Sequence, residues 1–291
     1  MKSKSIVFFG TPAFATAVLD ELAAAGLAPA LIVTAPDAPK GRTLILTPPE
    51  AKVWAKQHNI PTLQPHSLGD HAEIAPLINS GWDLFIVAAY GKKLTADILA
   101  LPKHGTLNVH PSLLPKLRGA SPVRSAILAD MRETGVSLML MDAQLDHGPI
   151  IAQARVELEE KEWPPRATMF EQLLAHAGGQ LLTETIPLWL AGKITPEEQD
   201  HSTATSSRKI TKEDGKLDLL DNPYQNLLKI RAYDTWPGAY FMHTKNGKDG
   251  KKSMRVKITD ATLAPDGTLR ILRVIPEGKK EMPYKDFLRG G

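Results

Sequence analysis

Asn108-Val109-His110 sets an amide and an imidazole two residues apart. In a strand, residues at that spacing share a face, so both side chains project the same way. An amide donor beside an imidazole can stabilise a developing oxyanion while the ring holds or moves a proton. On the tripeptide alone, a polar pair capping a strand end is the simpler reading. The residues that follow change the balance. Pro111-Ser112-Leu113-Leu114-Pro115-Lys116-Leu117-Arg118-Gly119-Ala120 is a stiff apolar loop with two prolines, and its paired leucines suggest a wall for a flat apolar ligand. Farther along, Asp142 to Pro149 reads as a turn between strands, with Gly148 allowing a sharp bend beside Asp146. A carboxylate brought to His110 would fix the ring's tautomer and hold its proton. Spacing alone does not bring Asp146 there.

Other chemistries find less support. The chain has no cysteine, which removes disulfides, thiolate metal sites and a cysteine nucleophile. His147 adjoins Asp146, yet no H-x-x-x-H or similar ligand spacing accompanies it, so no metal is expected. Gly10-Thr11-Pro12 sits where a dinucleotide fingerprint would begin, but no second glycine comes before Gly26. Neither a G-x-S-x-G elbow nor a Walker A loop is present.

The elements that must position these groups alternate in type. Apolar runs at Ile6–Phe9, Leu31–Thr34, Ile60–Leu63 and Asp83–Ala89 read as strands, with further strands near Gly105–Val109, Gly135–Met141 and Ile150–Leu158. Helical patterns fall at Ala13–Ala25, Ala51–Gln57, Ala72–Asn79, Ala120–Leu128 and Arg166–Leu190. Thr11 is expected to cap the first helix, with Pro12 as its first residue. Continuous apolar strands separated by helices predict an α/β, Rossmann-like, mostly parallel sheet, with the last strands adding an antiparallel edge. Ligands of such sheets bind at the carboxyl ends of the strands, where His110 would lie.

After Gly192 the periodicity stops, and residues 193–207 read as a polar linker. Beyond it a helix at Tyr224–Ala232 and strands at Tyr240–Thr244, Lys252–Leu263 and Thr268–Val274 predict a small OB-like β-barrel. The expected domains are therefore residues 1–192 and 208–291. Charge divides along the same line. Residues 1–205 hold 17 Lys and Arg against 21 Asp and Glu, a balance of −4, whereas residues 206–291 hold 18 against 11, a balance of +7. A basic C-terminal third suits a polyanion, most simply a nucleic acid. The apolar run behind the basic N-terminus ends at Phe9, too short for a signal peptide, and no run of about 18 apolar residues could span a bilayer. A cytoplasmic protein without membrane contact is expected.

The stretch Asn108 to Ala120, with Leu145-Asp146-His147-Gly148 after it, resembles the signature of the folate-dependent formyltransferases. Phe8 to Ala15, the Pro36–Arg42 segment and Arg231-Ala232-Tyr233-Asp234-Thr235-Trp236-Pro237-Gly238-Ala239 resemble, more narrowly, the members that act on an aminoacyl-tRNA. The resemblance runs from Ile6 to about Leu288. It implies a catalytic triplet Asn108, His110 and Asp146, and a folate loop at Ser112, Leu113, Leu114 and Pro115. It also implies Arg42 in an inserted loop that approaches the acceptor end. The implied co-substrate is 10-formyltetrahydrofolate, and the implied acceptor is the α-amine of initiator methionyl-tRNA, formylated for translation initiation. A monomer is expected. Departures from the family pattern are the apolar Thr43–Leu46, Leu117 in place of an aromatic, Arg124 in place of glutamine, and His147-Gly148-Pro149 in place of Thr-Gly-Asp.

Overall fold

The computed structural model describes residues 5–41, 44–247 and 250–289. The chain divides into two compact units, and neither is a single stretch of sequence. Unit 1 comprises Met1–Gly119, Glu133–Val156 and Glu171–Ser206; unit 2 comprises Ala120–Arg132, Glu157–Phe170 and Ser207–Gly291.

In chain order the strands of unit 1 are β1 (Ile6–Gly10), β2 (Leu31–Val33), β3 (Ala38–Lys40), β4 (Ile45–Thr47), β5 (Thr62–Leu63), β6 (Leu84–Ala88), β7 (Thr106–His110), β8 (Arg118–Gly119), β9 (Thr134–Leu140) and β10 (Ile150–Val156). Its helices are α1 (Ala13–Ala24), α2 (Glu50–Gln57), α3 (Ala75–Ile78) and α4 (Ala96–Leu99). A seven-stranded sheet runs β10-β9-β7-β6-β1-β2-β5. The pairs from β7 across to β5 are parallel, and β9 and β10 extend the sheet as an antiparallel edge beside β7. This is the mixed sheet that the apolar runs predict. The parallel strands read as unbroken apolar segments because both faces are covered. Val7, Phe9, Leu31, Val33, Phe85 and Val87 pack with Ile74, Leu77 and Ile98 on one side, while α1 buries Ala15, Val18, Leu19 and Leu22.

Two local expectations are corrected. The N-cap of α1 is Pro12, with no side-chain cap. Thr11 turns instead toward the sheet, donating its hydroxyl to the Tyr90 carbonyl at 3.1 Å. The hydroxyl thereby ties the end of β1 to the residue just beyond β6 rather than closing the helix. Residues 193–207, read as a linker, are bonded into unit 1 along much of their length: Glu197 exchanges backbone hydrogen bonds with Ile150, and Thr205 is bonded to Pro115 and Arg118. A polar, aperiodic stretch looks like a linker in sequence, but its groups can equally satisfy the backbone of neighbouring loops.

Unit 2 holds α5 (Pro122–Leu128), the N-terminal turn of α6 (Ala167–Leu190), α7 (Pro223–Ala232) and α8 (Tyr284–Arg289), and strand β11 (Ser206–Ser207) lies at its boundary. A four-stranded antiparallel sheet follows, in the order β12 (Tyr240–Gly247), β13 (Gly250–Leu263), β14 (Leu269–Pro276) and β15 (Met282–Pro283). Asn222 caps α7 by accepting from Tyr224 N and Gln225 N, and Pro223 takes the first helical position. The helix drives Leu227 and Ile230 into a core with Phe241, Val256, Ile258, Val274 and Phe287. No helix among the described residues is long and apolar enough to cross a membrane.

Candidate active site

The site is built on β7. Asn108 and His110 lie on one face, and Val109 points to the other, where Gly178 of α6 meets it. A Cβ on Gly178 would stand 2.5 Å from Val109 Cγ1, so only glycine lets the helix approach this closely. The antiparallel neighbour β9 adds the second support. His110 is in register with Ser137 of β9, and Asn108 with Met139.

Asp146 does meet this pair. Asn108 Nδ2 donates to Asp146 Oδ1 at 3.3 Å, and His110 Nδ1 stands 3.7 Å from Asp146 Oδ2. All three side chains are nearly dry, at 9%, 4% and 8% exposure. His110 Nε2 lies 3.0 Å from the Leu117 carbonyl oxygen. A carbonyl only accepts, so Nε2 is the donor, and any proton exchanged with a reacting group passes through Nδ1. Asp146 Oδ2 also accepts the Gly119 amide at 2.7 Å, so the carboxylate is fixed from two sides.

Both loops around the cluster hold unusual backbone. Leu117 has φ +57° and Asp146 φ +49°. Asp tolerates the left-handed region through its short polar side chain, whereas leucine is held there against a cost of about 1–3 kcal/mol. The anchors are visible. The Leu117 amide donates to Thr205 Oγ1 at 2.9 Å and its carbonyl accepts His110, while the side chain is buried. In the other loop a Cβ on Gly148 would sit 2.0 Å from the Leu140 carbonyl oxygen, so the turn closes only with glycine there.

The expected folate loop is pinned from beneath. Ser137 Oγ donates to the Ser112 carbonyl at 2.7 Å and accepts Leu114 N at 2.9 Å and Gln153 Nε2 at 2.7 Å. Gln153 spans farther, to the Leu114 carbonyl at 2.9 Å. Ser112 closes its own turn by donating to the Lys116 carbonyl at 2.6 Å. Leu114 is buried, whereas Leu113 and Pro115 are half-buried. Of the paired leucines, one anchors the loop in the core and the other keeps accessible apolar surface. Arg42 and Thr43 lie outside the described residues. Among those described, no three His, Asp or Glu side chains are placed to hold a metal ion.

Sequence reasoning missed the supports. Ser137 carried a faint signal, as a hydroxyl inside the apolar run Gly135–Leu140. Gln199 carried none, yet it is buried and donates to the carbonyls of Asp146 and Gly148 at 3.0 and 2.7 Å. The Asp142, His147 and His201 side chains surround the same turn. His147 Nδ1 donates to Asp142 Oδ2 at 2.7 Å, and the His147 and His201 rings stack with centroids 4.1 Å apart.

The chain is similar to known proteins over nearly its whole length. The family profile described as formyl transferase matches residues 3–186, and that of the formyl transferase C-terminal domain matches residues 209–266. The methionyl-tRNA formyltransferase of Bacillus subtilis (strain 168) is 38% identical over 303 residues, covering 98% of this chain and 94% of that protein. The protein of the same name in Listeria innocua is 39% identical over 300 residues, covering 98% and 95%. Among solved structures, a 4-N formyltransferase from Francisella tularensis superposes with a TM-score of 0.63 at 19% identity, over 87% of this chain and 97% of that one. HypX from Aquifex aeolicus, in complex with tetrahydrofolic acid, gives a TM-score of 0.65 at 16% identity, over 99% of this chain and 47% of that one. At such identities these two structures speak to the fold alone.

Proposed function

The chain belongs to the formyl transferase family, and from that premise we propose that it moves the formyl group of 10-formyltetrahydrofolate onto the α-amine of initiator methionyl-tRNA. Formyl transfer to methionyl-tRNA rests on relatives of that name matched over nearly their full length. A folate-derived donor is supported by structural neighbours that bind tetrahydrofolic acid or folinic acid. The observation that carries the assignment of residues is the buried contact of Asp146 with Asn108 and its approach to His110 Nδ1.

The reaction is a direct transfer. An α-amine titrates near pH 7.7–8.0 in model peptides, so a useful neutral fraction exists without a strong base. Its nitrogen attacks the formyl carbon, forming the new C–N bond and placing negative charge on the formyl oxygen. Asn108 Nδ2 has a second N–H to offer that oxygen, and a proton on His110 Nδ1 is directed to the same side. Loss of one such donor costs about 2.7–4 kcal/mol in comparable sites. The incoming nitrogen then loses a proton, the bond to folate N10 breaks, and N10 gains a proton, with Asp146 and His110 as carriers. Holding both substrates in one crevice supplies much of the remaining rate.

Ser112, Leu113, Leu114 and Pro115 are assigned to the folate, and Arg42 to the acceptor end of the tRNA. Catalysis is assigned to unit 1 and tRNA binding to unit 2, whose residues 208–291 carry a balance of seven positive charges that suits a phosphate backbone. A cytoplasmic monomer fits these roles. The deciding experiment presents charged initiator tRNA, an amino-sugar nucleotide and no amine in parallel, each with 10-formyltetrahydrofolate. Formylation of the tRNA alone is expected. Formylated sugar, or formate released without an amine, would overturn the reading.

A further inference from the structure

Gln199 lies nine residues beyond the end of α6 at Leu190 and carries no sequence signal, yet every hydrogen-bonding capacity of its amide is used. Nε2 donates to the Asp146 carbonyl at 3.0 Å and the Gly148 carbonyl at 2.7 Å. Oε1 accepts Arg118 Nε at 3.0 Å and Arg118 Nη2 at 2.6 Å. Arginine only donates and backbone carbonyls only accept, so the partners themselves fix which end of the amide is which. The side chain is 4% exposed, leaving no water to substitute for a lost partner.

The bonds close a ring. Arg118 adjoins Gly119, whose amide donates to Asp146 Oδ2 at 2.7 Å. Gln199, held by Arg118, grips the backbone of Asp146 itself. One arm therefore fixes the carboxylate and the other fixes the peptide from which it projects. The second arm matters because Asp146 sits at φ +49°, a conformation that must be held by its surroundings. Arg118 Nη2 also donates to His201 Nδ1 at 2.9 Å, which steadies the guanidinium plane. We propose that Gln199 is a positioning residue for Asp146, oriented by Arg118, so that residues 193–207 complete the active site rather than merely lead away from it.

This proposal rests on Asp146 being catalytic, and the test separates the two. Gln199→Leu keeps volume and removes all four bonds. Gln199→Glu keeps the arginine but sets an oxygen against two carbonyls. Each is expected to lower kcat roughly 10- to 100-fold, the range for supports one residue removed from the chemistry, with both KM values within about 3-fold. In an Asp146→Asn background the same Gln199→Leu change should cost less than about 2-fold in single-turnover rate, because residues acting as a unit are non-additive. A Gln199→Leu enzyme with near-normal kcat, or one that loses as much in the Asp146→Asn background as alone, would overturn the proposal. Near-normal turnover by Asp146→Asn itself would overturn the catalytic reading beneath it. If Gln199→Leu does not fold, Arg118→Lys, which cannot present two N–H groups to Oε1, is expected to lower kcat about 3- to 10-fold with the same non-additivity; additivity there would count against the proposal equally.

Discussion

Two segments leave the carboxyl edge of the parallel strands of unit 1 and are built in opposite ways. The loop after β7 is half-buried to buried and bonded along its length: Ser112 to Lys116, Leu114 to Ser137, Leu117 to Thr205 and His110, and Gly119 to Asp146. Among the described residues, the β3–β4 hairpin after β2 is anchored to its surroundings by ion pairs. Lys40 pairs with Glu50 at 3.0 Å and Lys52 with Asp37 at 2.8 Å, and the bonds from Gln64 and Lys52 hold the Asp37 carboxyl below its usual range. Past those ties Leu44, Ile45 and Leu46 are 70%, 64% and 65% exposed. The difference suits the roles proposed for the two segments. Groups that stabilise a transition state must already be in place, whereas a segment that reaches a large partner needs contact area and reach.

The strongest test of the bonded loops is to remove the group on which they converge. Asp146→Ala should lower kcat about 1,000-fold, within the range for loss of a proton-handling group, with tRNA affinity changed far less. Asn108→Ala should cost about 100- to 1,000-fold, as for one oxyanion donor. Steady-state rates read with both substrates varied would check each. A variant of either residue turning over near the wild-type rate would remove the distinction between a preorganised loop and an ordinary strand end.

Ser137→Ala probes the scaffold rather than the reacting groups. It leaves the Leu114 amide without its acceptor, and the Ser112 carbonyl and Gln153 amide each short of one partner. A buried group left unsatisfied costs about 1–3 kcal/mol, so thermal unfolding should begin several degrees earlier, and KM for the folate should rise before KM for the tRNA does. Unchanged stability would mean that the loop is held by packing of Leu114 alone.

How much of this was legible in the sequence follows from the kind of interaction. The parallel sheet showed itself because strands covered on both faces are written as unbroken apolar runs such as Leu84-Phe85-Ile86-Val87-Ala88. The shared face of Asn108 and His110 followed from strand periodicity. Only resemblance joined Asp146 to that pair, since no local rule brings a turn 36 residues downstream onto a strand end. Gln199 and Thr205 were illegible because a side chain bonding a distant backbone leaves no periodic trace. The units behaved likewise. Ala120–Arg132 and Glu157–Phe170 lie within the first 192 residues yet belong to unit 2, where Trp163 Nε1 and Tyr224 OH both donate to Asp130. Such pairings are long-range and are decided by packing.

An intermediate case in unit 2 sharpens the scale. The turn at Arg208–Asp214 is exposed like the hairpin but bonded like the site loop, through one carboxylate that accepts from Arg208 and from the amide and hydroxyl of Thr211. The Arg208 guanidinium, with the Thr211 bonds, holds the Asp214 carboxyl far below its ordinary range. A depressed carboxylate stabilises the folded state fully above about pH 4, and that contribution is lost as the pH falls toward the lowered value. Asp214→Asn should therefore cost up to about 1 kcal/mol at neutral pH, the scale of a solvent-screened pair, and progressively less in acid. A cost that stayed constant as the pH was lowered would assign the turn's stability to its geometry instead of its charge.

The smallest effect is expected where the comparison began, at the hairpin tip. Replacing Leu44, Ile45 and Leu46 together by serine removes apolar surface that is already in water, so the folded state loses almost no burial. Unfolding free energy should stay within about 0.5 kcal/mol of the parent, and KM for the folate should not move, because the ties at Lys40 and Lys52 lie outside the change. The buried Leu114 and Leu117 of the loop after β7 would behave oppositely, each costing about 2–5 kcal/mol on truncation to alanine. A loss of more than about 1 kcal/mol from the serine variant would show that the tip packs against the body of unit 1 in solution. The hairpin would then belong with the bonded loops, and its apolar residues would be core rather than contact surface.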